Sequence, residues 1–189
     1  GRSRVRVSSR PLKLNNMKNM EYSATISSCK KYRYKLTRSW DRDKCYVLFI
    51  MLNPSTADAS KDDLTTSRCI NFAKKWGYGG IMIGNIWPFR AKRPKDLRKW
   101  LKNPYVTNGW PEAISANKAH VNQMASSVDL VVCAWGCNYK DGIPKSWELD
   151  VPLHYLELCD DGETPKHPLG NLSKDLVPIE YKLNTNKEG

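Results

Sequence analysis

Amide, imidazole and aromatic side chains directly follow four apolar segments of the chain, which is where α/β proteins bind ligands. These positions are Asn53-Pro54-Ser55, Asn85 with Trp87 and Phe89, Trp135-Gly136, and His167-Pro168. The four positions hold no acidic pair and no nucleophile beside a base. Side chains of these types can hydrogen-bond to a flat heterocycle and stack on it, so we expect the site to take a nucleobase.

Motifs of other enzyme classes are absent from the sequence. Ser55 does not lie in a G-x-S-x-G motif, which argues against an acyl-transfer hydrolase. No Walker A or G-x-G-x-x-G motif follows an apolar segment, which argues against binding of a nucleoside triphosphate or a dinucleotide. The six cysteines form no C-x-x-C pair and have no histidine at ligand spacing, so neither a metal nor a cofactor is expected. Free thiols would indicate a cytosolic protein.

Each candidate position also has a purely structural interpretation. Asn53 precedes a proline and could simply close an Asx turn. His167 could be an ordinary loop histidine, and the tryptophans could belong to the core. The recurrence of such residues at four strand ends favours a binding site over these interpretations.

The apolar segments predict four strands, and helices separate most of them. Residues 46–52, 80–86, 129–135 and 153–158 are predicted strands, and residues 32–36 a weaker edge strand. The helices are predicted to begin after Asp62 or Asp63, at Pro94 and at Pro111. This order predicts the α/β class, with a three-layer α/β/α sandwich around a central, mainly parallel four-stranded sheet.

The charge and length of the chain restrict its partners. The chain has 189 residues and a net charge of +12, of which residues 1–20 carry +6. That stretch is predicted to be either an added leader ahead of a start at Met17 or Met20, or a native arm that binds nucleic acid. Residues 21–189 are predicted to form a single domain that is a monomer. Its 25 basic and 19 acidic residues favour DNA as a partner. No apolar run reaches the ~20 residues that span a bilayer, so no membrane partner is expected.

Four short motifs carry a resemblance to known families. They are FIMLNPSTAD at 49–58, WGYGG at 76–80, AWG at 134–136 and KHPL at 166–169. Together they resemble a domain family without an assigned function, over most of residues 33–180. Their order is also similar to that of the uracil-DNA glycosylase superfamily, in which a strand leads into a G-x-N-P or G-Q-D-P loop. A base-reading Asn, an L-W-G segment and an H-P-S loop then follow.

The glycosylase resemblance implies a role for each of these residues. Asn53 would position the attacking water, Asn85 would hydrogen-bond the base edge, and His167 would support charge on the departing base. The remaining expected substrate contacts are Pro54, Ser55, Trp87, Phe89, Trp135 and Pro168, and the expected DNA contacts are Arg68, Arg90 and Lys166. The sequence departs from the superfamily in having Asn in the first loop, His-Pro-Leu in the last, and Ser55 at the position of a bulky Tyr.

The expected activity is that of a DNA glycosylase that leaves an abasic site. Ser55 leaves open the space beside C5 of the base, so the expected substrate is a flipped, 5-substituted pyrimidine, as in the modified DNA of some phages. Defence against such DNA would then be the role. The expected donors to the substituent are Ser55, Thr56, Asp58, Arg68 and Arg90. The alternatives are a uracil-excising repair glycosylase, a non-catalytic module that binds bases or nucleotides, and a hydrolase of free nucleosides or nucleotides.

Overall fold

The computed structural model describes residues 20–55, 57–58, 60–103 and 112–182, and it arranges them as one mixed sheet with helices. The strands are β1 Glu21–Ile26, β2 Arg33–Ser39, β3 Tyr46–Met51, β4 Gly80–Asn85, β5 Leu130–Cys133, β6 Leu153–Tyr155 and β7 Ile179–Glu180. The helices are α1 Leu64–Lys75, α2 Pro94–Leu101 and α3 Glu112–Ala125. The predicted α/β class is therefore confirmed.

The predicted count of four strands is wrong. The sheet order is β1-β2-β4-β3-β5-β6-β7, in which the four predicted strands form a parallel centre, β4-β3-β5-β6. Antiparallel strands extend this centre on both sides, β2 and β1 on one and β7 on the other. The polar, largely exposed β1 and the two-residue β7 lack the apolar pattern that predicts a strand.

Two predicted segments differ in position from the structure. The segment predicted as an edge strand at 32–36 is the inner strand β2, because β1 pairs along its outer side. The fourth predicted strand, 153–158, ends at Tyr155, and Leu158 forms only an isolated bridge with Pro165. Nearly all of the predicted leader lies outside the described residues. The first described residue, Met20, packs against the core.

Local sequence explains how the central strand and the first helix form. Strand β3 reads YVLFIM and has five buried residues in succession, as expected for a parallel strand covered on both faces. Helix α1 begins after Asp63, whose carboxylate accepts the Thr66 N–H at 2.7 Å, so Asp63 is the predicted cap. Helix α2 begins at Pro94 as predicted, whereas the predicted start of α3 at Pro111 lies outside the described residues.

Two apolar clusters cover the two faces of the sheet. On one face, the α1 residues Cys69, Phe72 and Ala73 pack against β3 and β4. On the other face, Val121 and Met124 of α3 pack against β3 and β5. The centre of the sheet is thus buried between helices, which leaves its strand ends as the places where loops meet solvent.

The strand order creates a topological switch point beside β3. The chain passes from β3 to β4 on one side of it and later returns to β5 on the other. Loops that leave the carboxyl ends of β3 and β5 therefore diverge, and open parallel sheets bind ligands at such a point. Asn53 follows β3 here, and Trp135-Gly136 follows β5.

Candidate functional site

The loop after β3 holds Asn53 with one end of its side-chain amide fixed. Its Nδ2 donates hydrogen bonds to the Pro54 carbonyl at 3.1 Å and to the Ala91 carbonyl at 3.3 Å. The second bond joins this loop to the segment that follows β4. With Nδ2 occupied, Oδ1 is the end of the amide that can accept a hydrogen bond from a water molecule.

Asn85 ends β4 and is buried without hydrogen bonds from its side chain. The residue is 1% exposed, and neither Oδ1 nor Nδ2 has a partner among the described residues. Its backbone carbonyl, by contrast, accepts a hydrogen bond from Nδ2 of Asn117 at 2.8 Å. Each buried polar group without a partner costs about 1–3 kcal/mol, so the fold keeps this amide at a cost that a hydrogen-bonding ligand would remove.

We expect Asn85→Leu to stabilise the protein and to abolish its function. Leucine has a similar volume and removes two unpaired polar atoms, so the free energy of unfolding should rise by about 1–3 kcal/mol. Urea unfolding of the purified variant measures this change.

Asn117→Leu is the matched control for that prediction. Asn117 is also fully buried, but its Nδ2 donates to the carbonyls of Asn85 and Ile86. This variant should lower the free energy of unfolding by about 2 kcal/mol, because both carbonyls lose their donor. Equal destabilisation by the two substitutions would show that Asn85 is paired in solution.

His167 lies beside Gly136, which follows β5. Gly136 has φ of +92°, and a Cβ added there would lie 3.3 Å from Cβ of His167, so glycine is required both for its backbone conformation and for the space. The Gly136 N–H donates to the Pro165 carbonyl at 3.0 Å. These contacts bring the KHPL segment to the carboxyl end of β5.

The hydrogen bonding of His167 defines which ring nitrogen can donate. Nδ1 accepts the Leu169 N–H at 3.2 Å, so the neutral ring carries its proton on Nε2. Burial lowers the pKa of His167, while the charge of Asp63 opposes that shift. The imidazole is therefore neutral near pH 7, with Nε2–H as a hydrogen-bond donor.

A disulfide between Cys137 and Cys159 fixes the loop that leads to His167. The Cα atoms are 5.7 Å apart, and the two residues are 22 positions apart in sequence. The sequence predicts mostly free thiols, and Cys29, Cys45, Cys69 and Cys133 are indeed free, whereas this pair is bonded. Sequence spacing does not signal this pairing, because the neighbouring parallel strands β5 and β6 bring the two cysteines together.

We expect reduction of this disulfide to weaken both the fold and the site. The Cys159 N–H donates to the Thr164 carbonyl at 2.8 Å, and the Lys166 N–H donates to the Glu157 carbonyl at 2.8 Å. The disulfide therefore holds the segment that leads to His167. The double variant Cys137→Ser and Cys159→Ser should lose about 3 kcal/mol of unfolding free energy. Thermal unfolding with and without dithiothreitol measures this; a reductant-insensitive wild type would contradict it.

The predicted aromatic contacts are divided between a half-buried cluster and the core. The Phe89 ring stacks on Trp100 of α2 at 5.1 Å and 1°, and Trp87 meets the same ring edge-on at 6.2 Å. Trp135 is 3% exposed and packs edge-on against Tyr181, so it belongs to the core. Of the aromatic candidates, Trp87 and Phe89 lie on the segment that follows Asn85.

The predicted DNA-contacting residues are all held by other groups. Arg68 donates to the Leu172 carbonyl at 2.5 Å, and Arg90 donates to the Lys30 carbonyl at 3.2 Å. Lys166 forms an ion pair with Glu157. These bonds occupy part of the donor capacity of each cation and fix its position.

The remaining predicted residues line the first loop and the last. Pro54 and Pro168 are both buried. The Ser55 hydroxyl donates to the Asp63 carboxylate, and Asp58 accepts the Ser60 and Lys61 N–H groups of its own turn. Thr56 lies outside the described residues.

Two charged groups, Arg33 and Asp63, were not predicted to belong to the site. Both bond to the loop that follows β3, which we call the first loop. Arg33 is 2% exposed, its Nη1 donates to the Ala57 carbonyl at 2.5 Å, and its Nε has no partner among the described residues. Burial lowers the pKa of Arg33 to about 10, and the charge of Asp63 opposes that shift. Asp63 was predicted only as a helix cap. No apolar pattern marks Arg33 as buried, and the sequence does not show that Asp63 does more than cap a helix.

Within residues 20–55, 57–58, 60–103 and 112–182, no group of three His, Cys, Asp or Glu side chains is placed to hold a metal ion. None of the helices described is long and apolar enough to cross a membrane.

Comparisons with known proteins identify a family but no activity. Residues 33–169 match the family described as "Protein of unknown function (DUF1643)". No curated protein matches the chain. No solved structure matches it either.

Proposed function

We propose that this chain, which belongs to the DUF1643 family of unknown function, is a DNA glycosylase that excises a flipped, 5-substituted pyrimidine. The observation that carries the proposal is the buried amide of Asn85, whose oxygen and nitrogen both lack partners among the described residues. An amide presents one donor and one acceptor side by side, which matches the hydrogen-bonding edge of a pyrimidine.

The residues at the switch point beside β3 support hydrolysis of the N-glycosidic bond. Water would attack C1′ while the electron pair of the C1′–N1 bond leaves with the base, and the sugar would pass through an oxocarbenium-like state. One proton of the water passes to solvent, and the departing base takes up a proton from solvent. Oδ1 of Asn53 is available to orient that water, because Nδ2 is bound to two carbonyls.

His167 would stabilise the charge that the base carries away. Its Nε2–H would donate a hydrogen bond to a carbonyl oxygen of the base, and a neutral imidazole can do this without giving up a proton. One such donor contributes about 3–4 kcal/mol of transition-state stabilisation in comparable sites. The cationic excess of residues 21–189 supports DNA as the polymer that carries the base.

The test is excision from DNA that carries one defined base. Purified protein would be incubated with single- and double-stranded oligonucleotides containing uracil, thymine, 5-hydroxymethylcytosine or its glucosylated form, and then treated with alkali. Strand breaks at 5-hydroxymethylcytosine or its glucosylated form, and not at thymine, support the proposal. Breaks at uracil alone would identify a repair glycosylase. Salt-sensitive binding without breaks would identify a binding module, and cleavage of free nucleosides alone a small-molecule hydrolase.

A further inference from the structure

We propose that Arg33, Asp63 and Ser55 form a subsite that binds the hydroxyl groups of a sugar attached to C5 of the pyrimidine. The proposal rests on the proposed function and names the part of the site that recognises the substituent. We call these three residues the substituent subsite.

The first observation is a buried guanidinium with an unused donor. Arg33 is 2% exposed, yet its Nε has no partner among the described residues. Its Nη1 donates to the carbonyl of Ala57, in the loop that also contains Ser55. Nε of Arg90 is likewise buried without a partner, and its charge acts on Arg33. Two enclosed donors without partners cost stability, as the amide of Asn85 does.

The second observation is the carboxylate that faces the same loop. Asp63 accepts hydrogen bonds from the Ser55 hydroxyl and from the Thr66 N–H. Burial raises the pKa of Asp63, but these hydrogen bonds outweigh it and the pKa is lowered, so the group is a carboxylate at neutral pH. Ser55 lies two residues before Ala57, whose carbonyl accepts from Arg33, so Asp63 and Arg33 hold neighbouring positions of one loop.

The chemistry of these groups fits a sugar better than an anion. A hydroxyl both donates and accepts, so the hydroxyls of one sugar can donate to the carboxylate of Asp63 and accept from Nε of Arg33. A negatively charged substituent would gain from Arg33 but would be repelled by Asp63 and by the nearby Asp58, which acts on both arginines. A methyl group would leave the donors unpaired. The subsite therefore selects for a hydroxyl-rich substituent.

Entry of the substituent would move the first loop. Nε of Arg33 is enclosed in this structure, and the bond from Nη1 to the Ala57 carbonyl holds the loop against it. Displacing that carbonyl exposes a second donor of the same guanidinium, so the sugar would gain two hydrogen bonds where the loop loses one.

The experiment measures binding, so that it does not depend on turnover. Asn53→Ala protein would be titrated with duplexes that contain one glucosylated 5-hydroxymethylcytosine, one 5-hydroxymethylcytosine or one 5-carboxylcytosine, with fluorescence anisotropy as the readout. The glucosylated duplex should bind at least about tenfold more tightly than the other two, because a site built to hydrogen-bond hydroxyls rejects ligands that lack them.

Asp63→Asn and Arg33→Lys, each added to Asn53→Ala, should bring that preference below about twofold. Asn is a good helix cap, so Asp63→Asn keeps the start of α1 while removing the charge. Asp96→Asn, at a half-buried aspartate paired with Arg93 in helix α2, is the control and should retain the full preference. If Arg33→Lys shows no thermal unfolding transition, Asp63→Asn alone decides.

Two results would overturn the subsite: no preference for the glucosylated duplex, or a preference that survives both substitutions in folded protein. Tighter binding of the 5-carboxylcytosine duplex would assign the subsite to an anion instead. Failure of the wild-type protein to break any strand, with the preference intact, would overturn the proposed catalysis and leave the subsite standing.

Discussion

Asn53→Ala is expected to abolish base excision, lowering the single-turnover rate at least about 10³-fold, while folding and DNA binding stay close to those of the wild type. Alanine removes the Oδ1 atom that would orient the attacking water. It also removes the Nδ2 bonds to the Pro54 and Ala91 carbonyls, which cost only about 1 kcal/mol each at a part-buried position.

Asn122→Ala is the control for this substitution. Asn122 lies in α3, and its Nδ2 also donates to a carbonyl, that of Trp147, at 3.0 Å. Loss of this hydrogen bond should lower the free energy of unfolding about as much as Asn53→Ala does, without changing the excision rate. Single-turnover assays at saturating protein, together with thermal unfolding, compare the two variants. Wild-type-like turnover in Asn53→Ala would remove this residue from the mechanism.

His167→Ala is expected to lower kcat about 10²-fold or more with little change in KM, because its Nε2–H would bind charge that develops only in the transition state. His120→Ala is the control, since His120 stacks on Tyr34 from helix α3. Steady-state kinetics on one excised base measure both variants. An effect confined to KM would assign His167 to substrate binding.

The pH dependence of the wild type gives a second check on His167. Burial keeps the pKa of this ring below its ordinary value of 6.5, so the excision rate should show no inflection there. Protonation at lower pH places a proton on Nδ1 and breaks the bond from the Leu169 N–H. Because the folded-state pKa is depressed, the associated stability is fully present above pH 6.5 and is lost as pH falls through the folded-state pKa. NMR titration of the His167 ring measures its folded-state pKa directly.

The sequence alone predicts the centre of the sheet but not its edges. Strand β3 is apolar throughout because both of its faces are covered, and such a run is visible without a structure. Strand β1 has no comparable pattern, since most of its side chains are exposed and its backbone pairing with β2 defines it. Edge pairing depends on tertiary contact, so periodicity does not reveal it.

The candidate site shows the same division. Asn53 and Asn85 are predictable because each directly follows or ends an apolar strand, where the loops must meet. Arg33 is not predictable, because the sequence does not distinguish a buried arginine from the exposed arginines elsewhere in this basic chain. Asn117 is also not, since only the packing of α3 on β4 brings its amide to the carbonyl of Asn85. Residues that act through packing need the structure.

The position of β3 in the middle of the sheet also determines when this site can exist during synthesis. Strand β3 pairs with β4 and with β5, so its second edge stays open until the ribosome has released residues up to Cys133. His167 comes later still, on a segment cross-linked through Cys159. A nascent or truncated chain therefore carries Asn53 and Asn85 without His167, so the proposed site can form only after the KHPL segment has left the ribosome.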